Sequence, residues 1–288
     1  MSGYFSDKLI IVRGGGDLAS GTIHRLVCCG FPVIVLETDH PSAIRRQVAF
    51  SEAIYDGNAW IEGVCCEKAE SLSQGKEIIQ RGHAALLVDP ECQILKQIRP
   101  WALVDAILAK KNLGTHRDMA GKTIALGPGF TAGQDVDLVI ETKRGHNLGR
   151  IITEGCAAPN TGIPGLIAGY GKERVIHAPA PGIIHPLVSI GSHVEQGQLL
   201  ALITPEGSQA PEPSCFSGGT SAGTPVYASL TGLLRGMIRD GYPVTKGFKI
   251  ADIDPREEEY KNCFTISDKA RCIAGSVLAG LLYLDRQT

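Results

Sequence analysis

The chain has 288 residues, 43% of them hydrophobic and 20% charged, with a formal net charge of −2. At about 150 residues per domain that length suggests two domains with a real core. The mixed charge leaves no basic face for nucleic acid and no charged tail for a membrane surface.

The start, Met1 to Lys8, has no basic region followed by a long apolar core, so secretion is not expected. The longest apolar run, Cys272 to Leu284, is interrupted by two glycines and Ser276 and falls short of the ~18 residues that span a bilayer. The nine cysteines, at 28, 29, 65, 66, 92, 156, 215, 263 and 272, include no C-x-x-C pair. That spacing fits reduced thiols in a cytoplasm, not a disulfide scaffold or a zinc ribbon, and no metal site is expected. Most should be small core residues; Cys156, in a turn-rich stretch, is the candidate reactive thiol.

An apolar strand, Lys8–Val12, opens the first domain and runs into Gly14, Gly15 and Gly16, then a helix over Leu18–Cys29. Gly14, Gly16 and Ala19 stand in the G-x-G-x-x-G/A register, with Gly21 a further small residue. Glycines there allow a tight turn and close approach of backbone to a pyrophosphate, which a helix N-terminus then holds. A second strand, Phe31–Glu37, ends in an acid 21 residues after Gly16, where a carboxylate bonds a ribose hydroxyl. Asp17 would repel a phosphate unless it caps the helix or a cation intervenes; capping is the preferred reading. Arg45 and Arg46 follow the second strand, within reach of an anionic cofactor or simply on an exposed helix face. A helical pattern over Glu67–Gln80 and strands at Ala84–Val88, Thr123–Leu126 and Leu138–Glu141 complete the alternation. Strands separated by helices predict an α/β fold with a Rossmann-like, mostly parallel sheet. Gly127 and Gly129 turn at a strand end and offer the other wall of a crevice. The loop Arg144-Gly-His146-Asn147-Leu-Gly-Arg150 is cationic and suited to an anion. His24, on the first helix, is read as a packing residue.

Prolines and glycines accumulate over 159–165, and the domain is taken to end at residue 170. Residues 171–256 form a second module, because 227–253 repeat 177–203 fifty positions on. Gly182/Gly232, Gly191/Gly241, Val194/Val244, Gly197/Gly247 and Ile203/Ile253 match without a gap. Each half has too little apolar surface to fold alone, so the halves should pack together as small strands and tight turns. This pattern resembles the repeated half of biotinyl and lipoyl domains, which implies an all-β barrel-sandwich hybrid. The joining segment 204–225 holds no lysine, so neither biotin nor lipoate is expected, and the segment reads as a flexible insertion. Residues 257–288 are read as a C-terminal helix capped by Ser267, with Ala270, Ile273, Ala274, Val277, Leu281 and Leu282 on one face returning to the sheet domain.

No H-x-x-H, G-x-S-x-G or H-E-x-x-H pattern occurs, and no nucleophile with a paired base is evident, so no catalytic residue is assigned. Taken together, I-V-R-G-G-G-D-L-A-S-G at 11–21, L-G-P-G-F-T-A-G at 126–133, R-G-H-N-L-G-R at 144–150, P-N-T-G-I-P-G at 159–165, K-I-A-D-I-D-P-R at 249–256 and F-T-I-S-D-K-A-R at 264–271 resemble the YqeB family. That family comprises maturation proteins of the selenium-dependent molybdenum hydroxylase system, and its sheet domain is similar to that of XdhC-type accessory proteins. The resemblance implies a cytoplasmic accessory factor that binds molybdenum cofactor, as molybdopterin or its dinucleotide, or a nucleotide. It implies partnership with a molybdenum hydroxylase and with selenium-delivery proteins; self-association stays open. Two other readings fit the residues: an NAD(P)-dependent oxidoreductase, on Gly14, Gly16, Ala19 and Glu37, and a non-catalytic scaffold docking through the β-module.

Overall fold

The computed structural model describes residues 5–160, 162, 167–208 and 223–287. They fall into two compact units, bounded as Met1–Pro41, Val48–Thr161 and Ile266–Thr288 for the first and Ser42–Gln47 and Gly162–Thr265 for the second. Two pieces expected elsewhere, Ser42–Gln47 and the stretch up to Thr265, thus group with the β-rich unit. No helix among the described residues is long and apolar enough to cross a membrane.

In the first unit the elements run β1 (Ile10–Arg13), α1 (Asp17–Cys28), β2 (Val33–Glu37), α2 (Ala53–Asp56), β3 (Asn58–Ile61), β4 (Val64–Lys68), α3 (Leu72–Gln80), β5 (Ala84–Val88) and β6 (Ala102–Asp105). They continue with β7 (Thr123–Leu126), β8 (Thr131–Ala132), β9 (Leu138–Ile140), β10 (Ile151–Ile152) and β11 (Gly155–Cys156). Nine of these strands make one sheet, ordered β10-β9-β7-β6-β1-β2-β5-β4-β3. Its interior pairs are parallel and only the edge pairs β3/β4 and β9/β10 are antiparallel. β8 and β11 pair separately.

Runs such as Ile10-Ile-Val12 and Val33-Ile-Val-Leu36 are buried throughout because both sheet faces are covered. Side chains alternate between faces, so Ile10 and Val12 join one core with Ile23 of α1, while Ile11 and Ile34 join another with Ile78 of α3. Each fully buried aliphatic side chain contributes about 1.5–3 kcal/mol.

The final helix, α4 (Asp268–Asp285), returns to this sheet and buries Ala270, Ile273, Ala274, Val277, Gly280 and Leu281. Ser267 caps it, its hydroxyl accepting from Ala270 N–H at 3.2 Å. Leu282 departs from the expected stripe and stays 42% exposed. α4 is anchored at its start by Glu62 in the β3–β4 turn, whose carboxylate accepts from Ile266 N–H at 2.9 Å and from Arg271 at 2.6 Å. The expected helix over Glu67–Gln80 is corrected at its start: Glu67 and Lys68 belong to β4, and α3 begins only after Ser71, whose hydroxyl accepts from Gln74 N–H. Strands β3, β4 and β6 escaped the periodicity because they are short and contain Cys, Trp and Asp.

The second unit realises the repeat. Its strands are β12 (Val175–His177), β13 (Gly182–Pro186), β14 (His193–Val194), β15 (Leu199–Thr204), β16 (Thr224–Tyr227), β17 (Gly232–Met237), β18 (Pro243–Val244) and β19 (Lys249–Asp254). They form two four-stranded sheets, β12-β19-β17-β14 and β16-β15-β13-β18, each drawing strands from both halves. Neither half closes a sheet by itself, which is why one core holds Ile184, Val194 and Ile203 together with Leu234, Val244 and Ile253. At the equivalent positions Gly182 and Gly232 a Cβ would lie 2.2 Å from Thr204 O and 2.3 Å from Asp254 O, so both halves require glycine there. The lysine-free insertion lies largely outside the described residues.

Candidate functional site

The sheet order reverses at β1: the chain moves from β1 to β2 and outward, then crosses back to place β6 on β1's other side. The carboxyl ends of strands beside such a reversal leave a crevice, where open α/β sheets bind ligands. Here the crevice is a cavity of about 420 Å³ lined by Arg13 and Gly14 after β1, Leu36, Glu37 and Thr38 at the end of β2, Pro90 and Glu91 after β5, and Ile107 and Asn112–Gly114 after β6. That volume lies within the ~300–1,000 Å³ of small-molecule sites.

The glycine loop forms one wall. Gly14, at φ +94°, fits between strands where a Cβ would meet Ala106 O at 3.0 Å, and a Cβ on Gly15 would meet Ser51 N at 2.9 Å. Gly15 O accepts from Ser51 N–H and from the Ser20 hydroxyl, which fixes the loop's path. Gly16 is the N-cap of α1 without a side-chain cap bond, and a Cβ there would meet nothing. The loop's last turn thus has room above the helix N-terminus, where unpaired N–H groups favour an anion.

Glu37 is the acid of the site. Its Oε2 accepts from Gly15 N–H at 2.7 Å and its Oε1 from Thr38 N–H at 2.8 Å. Each carboxylate oxygen has two acceptor positions, so both retain one for a hydroxyl. A phosphate placed directly on Glu37 would meet its negative charge.

Beneath the cavity lies a buried ionic network. Arg13 Nη2 donates to Pro90 O at 2.9 Å, its Nη1 donates to the Thr115 hydroxyl, and Asp105 Oδ2 stands 3.6 Å from Nη1. Thr115 in turn donates to Asp105 at 2.6 Å, and Asp105 Oδ1 accepts from Ile107 N–H at 3.2 Å. Arg13 and Asp105 are 4% and 2% exposed. This cluster ties the loops after β5 and β6 to the end of β1, so it sets the cavity's shape.

On the helix side of the glycine loop stands Lys269, in the first turn of α4. Burial and the neighbouring Arg144 push its ammonium below the ordinary lysine range, while Asp17, Glu141 and Asp268 act against them. Arg144 grips Asp268 through two bonds of 2.8 and 3.0 Å. Asp17 is correspondingly the first residue of α1 and not its cap, a correction to the expected role.

The remaining expected residues fall into three groups. Gly14 and Glu37 line the cavity, with Gly15 and Gly16 in the same loop. Gly127 and Gly129 lie next to it: a Cβ on Gly129 would meet Lys111 Cα at 2.7 Å, beside the lining residue Asn112, and one on Gly127 would meet Thr142. Elsewhere, Gly21 is a packing residue, since a Cβ there would lie 2.8 Å from Ala270 Cβ of α4. Arg45 and Arg46 are built into the second unit, donating to Asn262 O and Thr265 O and to Met237 O, respectively, and do not line the cavity. His146, Asn147 and Arg150 are exposed in a turn seated on α4 through Gly149. Arg13, Asp105, Thr115 and Lys269 were not anticipated. Arg13 and Asp105 carried one signal, each a charge ending an otherwise apolar strand. The 159–165 motif lies partly outside the described residues.

These features define an open crevice at the switch point of a mostly parallel α/β sheet. No known family profile matches the chain. The chain is a homologue of "Uncharacterized protein YqeB" of Escherichia coli (strain K12), with 46% identity over 280 residues, 97% of this chain and 48% of that protein. The chain therefore spans about half the length of the curated relative it matches. Among solved structures, an aspartoacylase family protein from Mesorhizobium loti shares 15% identity at a TM-score of 0.29, covering 88% of this chain and 87% of that one. A succinylglutamate desuccinylase from Silicibacter sp. shares 11% identity at a TM-score of 0.26, covering 86% and 85%.

Proposed function

We propose that this chain is an accessory factor in molybdenum hydroxylase maturation that holds the nucleotide form of molybdenum cofactor in its Rossmann-like crevice. The observation that carries the reading is the pairing of an apolar slot with a ribose acceptor beside an anion seat. Leu36, Pro90, Ile107 and Leu113 offer flat apolar walls to a base, and Glu37 retains acceptor positions for ribose hydroxyls. Gly16 leaves space above the α1 N-terminus, whose unpaired N–H groups favour an anion. The residues present therefore fit the nucleoside and phosphate portions of that cofactor, which is cargo for a client enzyme.

A nicotinamide dinucleotide is the second reading, because Glu37 suits any adenosine ribose; its carboxylate disfavours a 2′-phosphate. Calorimetry of the full chain with molybdopterin dinucleotide, NAD and NADP separates the two. Micromolar binding of the molybdopterin form, weakened about tenfold by Glu37→Ala, supports the proposal. Binding of NAD alone, or of none of the three at high micromolar concentration, overturns it.

A further inference from the structure

At the other end of the first unit's sheet, three chemically distinct donors converge that no sequence spacing brought together. Cys65 and Glu67 stand two apart on β4 and so share a face, and His83 immediately precedes β5 beside Cys65, as the pairing Cys66↔Ala84 requires. One donor atom of each lies within 4.8 Å of the other two. Around a tetrahedral zinc, bond lengths place such donors roughly 3.5 Å apart, so the Cys65 thiol must close in by up to about an ångström while His83 and Glu67, in hydrogen-bond contact with each other, must move apart to admit the ion.

The surroundings orient the three groups. His83 Nδ1 is hydrogen-bonded to Glu67 Oε1, a contact that a bound metal would replace, while Glu67 Oε2 accepts from Arg81 at 2.8 Å. Arg81 thus holds the carboxylate with one oxygen turned to the histidine, an outer-shell arrangement typical of ligating carboxylates. Its positive charge opposes a cation, although its side chain is 52% exposed and therefore well screened. The Trp60 ring packs edge-on against His83 with centroids 5.6 Å apart. Cys65 is only 3% exposed, whereas Glu67 and His83 remain partly open. Burial and the Glu67 carboxylate push the Cys65 thiol above its ordinary range, with Arg81 acting the other way. A bound cation reverses that balance: the S–H bond breaks, its proton leaves to solvent, and a metal–sulfur bond forms.

We propose that Cys65, Glu67 and His83 form a three-ligand site for a zinc-type divalent cation, with a fourth position for water or an external ligand. The mixed thiolate, imidazole and carboxylate set selects zinc or cobalt over magnesium or calcium. Three protein ligands with one open position is the ligand count of zinc sites that act on a bound molecule.

The test is titration of the metal-free full chain with Co(II), read by absorption. One equivalent should produce a thiolate-to-cobalt charge-transfer band and the visible bands of four-coordinate Co(II), both bleached by Zn(II). Cys65→Ser should abolish the charge-transfer band, and His83→Gln should weaken binding at least tenfold. Cys156→Ser and Cys28→Ser should leave both signals unchanged; Cys28 lies 3.8 Å from His24 Nδ1 and is the natural competing thiol. No band in the parent, or a band that survives Cys65→Ser, overturns the proposal. Should Cys65→Ser fail to fold by circular dichroism, His83→Gln decides alone, and Co(II) affinity within twofold of the parent refutes the site.

Discussion

Replacing Arg13 by methionine removes the centre of the network under the crevice while keeping an unbranched side chain of similar length. The substitution deletes the donations to Pro90 O and Thr115 and leaves Asp105 2% exposed with its cationic neighbour gone. Breaking a buried pair by removing one partner costs about 3–5 kcal/mol, most of it from the stranded charge. For a unit of this size about 2–4 °C is lost per kcal/mol, so the melting temperature should fall by about 6–20 °C. Adding Asp105→Asn should recover a large part of the loss, because asparagine still accepts from Thr115 without stranding a charge. Thermal melts of the parent, both single variants and the double variant measure this coupling. A fall below about 3 °C for Arg13→Met, or a double variant no more stable than the single one, would refute the assigned role of the network.

Three further outcomes follow from other parts of the fold. Gly21→Val forces a Cβ to within 2.8 Å of Ala270 Cβ at the α1–α4 contact and should cost about 1–3 kcal/mol, seen as a lower urea midpoint at constant slope; an unchanged midpoint would place the helices further apart. Asp254 is 1% exposed; burial pushes its carboxyl up, but bonds from the Arg256 side chain and backbone hold it below the ordinary range. Its pairing therefore stabilises the second unit above the unfolded value of about pH 4 and is lost as pH falls through the lower folded value. Asp254→Asn should be about 1–2 kcal/mol less stable at pH 7, with the gap closing in acid; a gap independent of pH would contradict the assignment. Under native conditions iodoacetamide should label the exposed Cys28, Cys156 and Cys272 well before the buried Cys65, Cys66, Cys92 and Cys263. Burial pushes Cys92 up to about 11, which slows it further. Peptide mapping reads the order, and early labelling of Cys92 would show that β5 and the turn after it open readily.

The parallel sheet was legible where an apolar run adjoins a glycine turn, as in β1 before Gly14, β2 after Gly30, β5 after Gly82 and β7 before Gly127. β6 was missed although the loop after it forms one wall of the crevice, because its apolar run is only Ala102-Leu-Val104 and no glycine turn borders it. The repeat over 177–253 was legible to the residue, since glycines such as Gly182 and Gly232 are dictated by backbone contacts that recur in both halves. Arg45 and Arg46 misled because proximity to β2 in sequence says nothing of partners: Ser42–Gln47 joins the other unit, and its arginines are spent on carbonyls. The Arg13–Asp105–Thr115 network and the Cys65–Glu67–His83 cluster were invisible for one shared reason. Their members are brought together by strand pairing, which no local pattern encodes.

The proposed role of the crevice beside Gly14–Gly16 is to take the nucleoside end of a phosphate-bearing cofactor. It is tested most directly by denaturing the full chain, purified from cells that make molybdenum cofactor, and weighing the small molecule released. A nucleotide-linked pterin, retained by the parent and largely lost from Glu37→Ala, is the predicted result. A released molecule without a nucleoside, or equal retention by the parent and Glu37→Ala, would contradict the account.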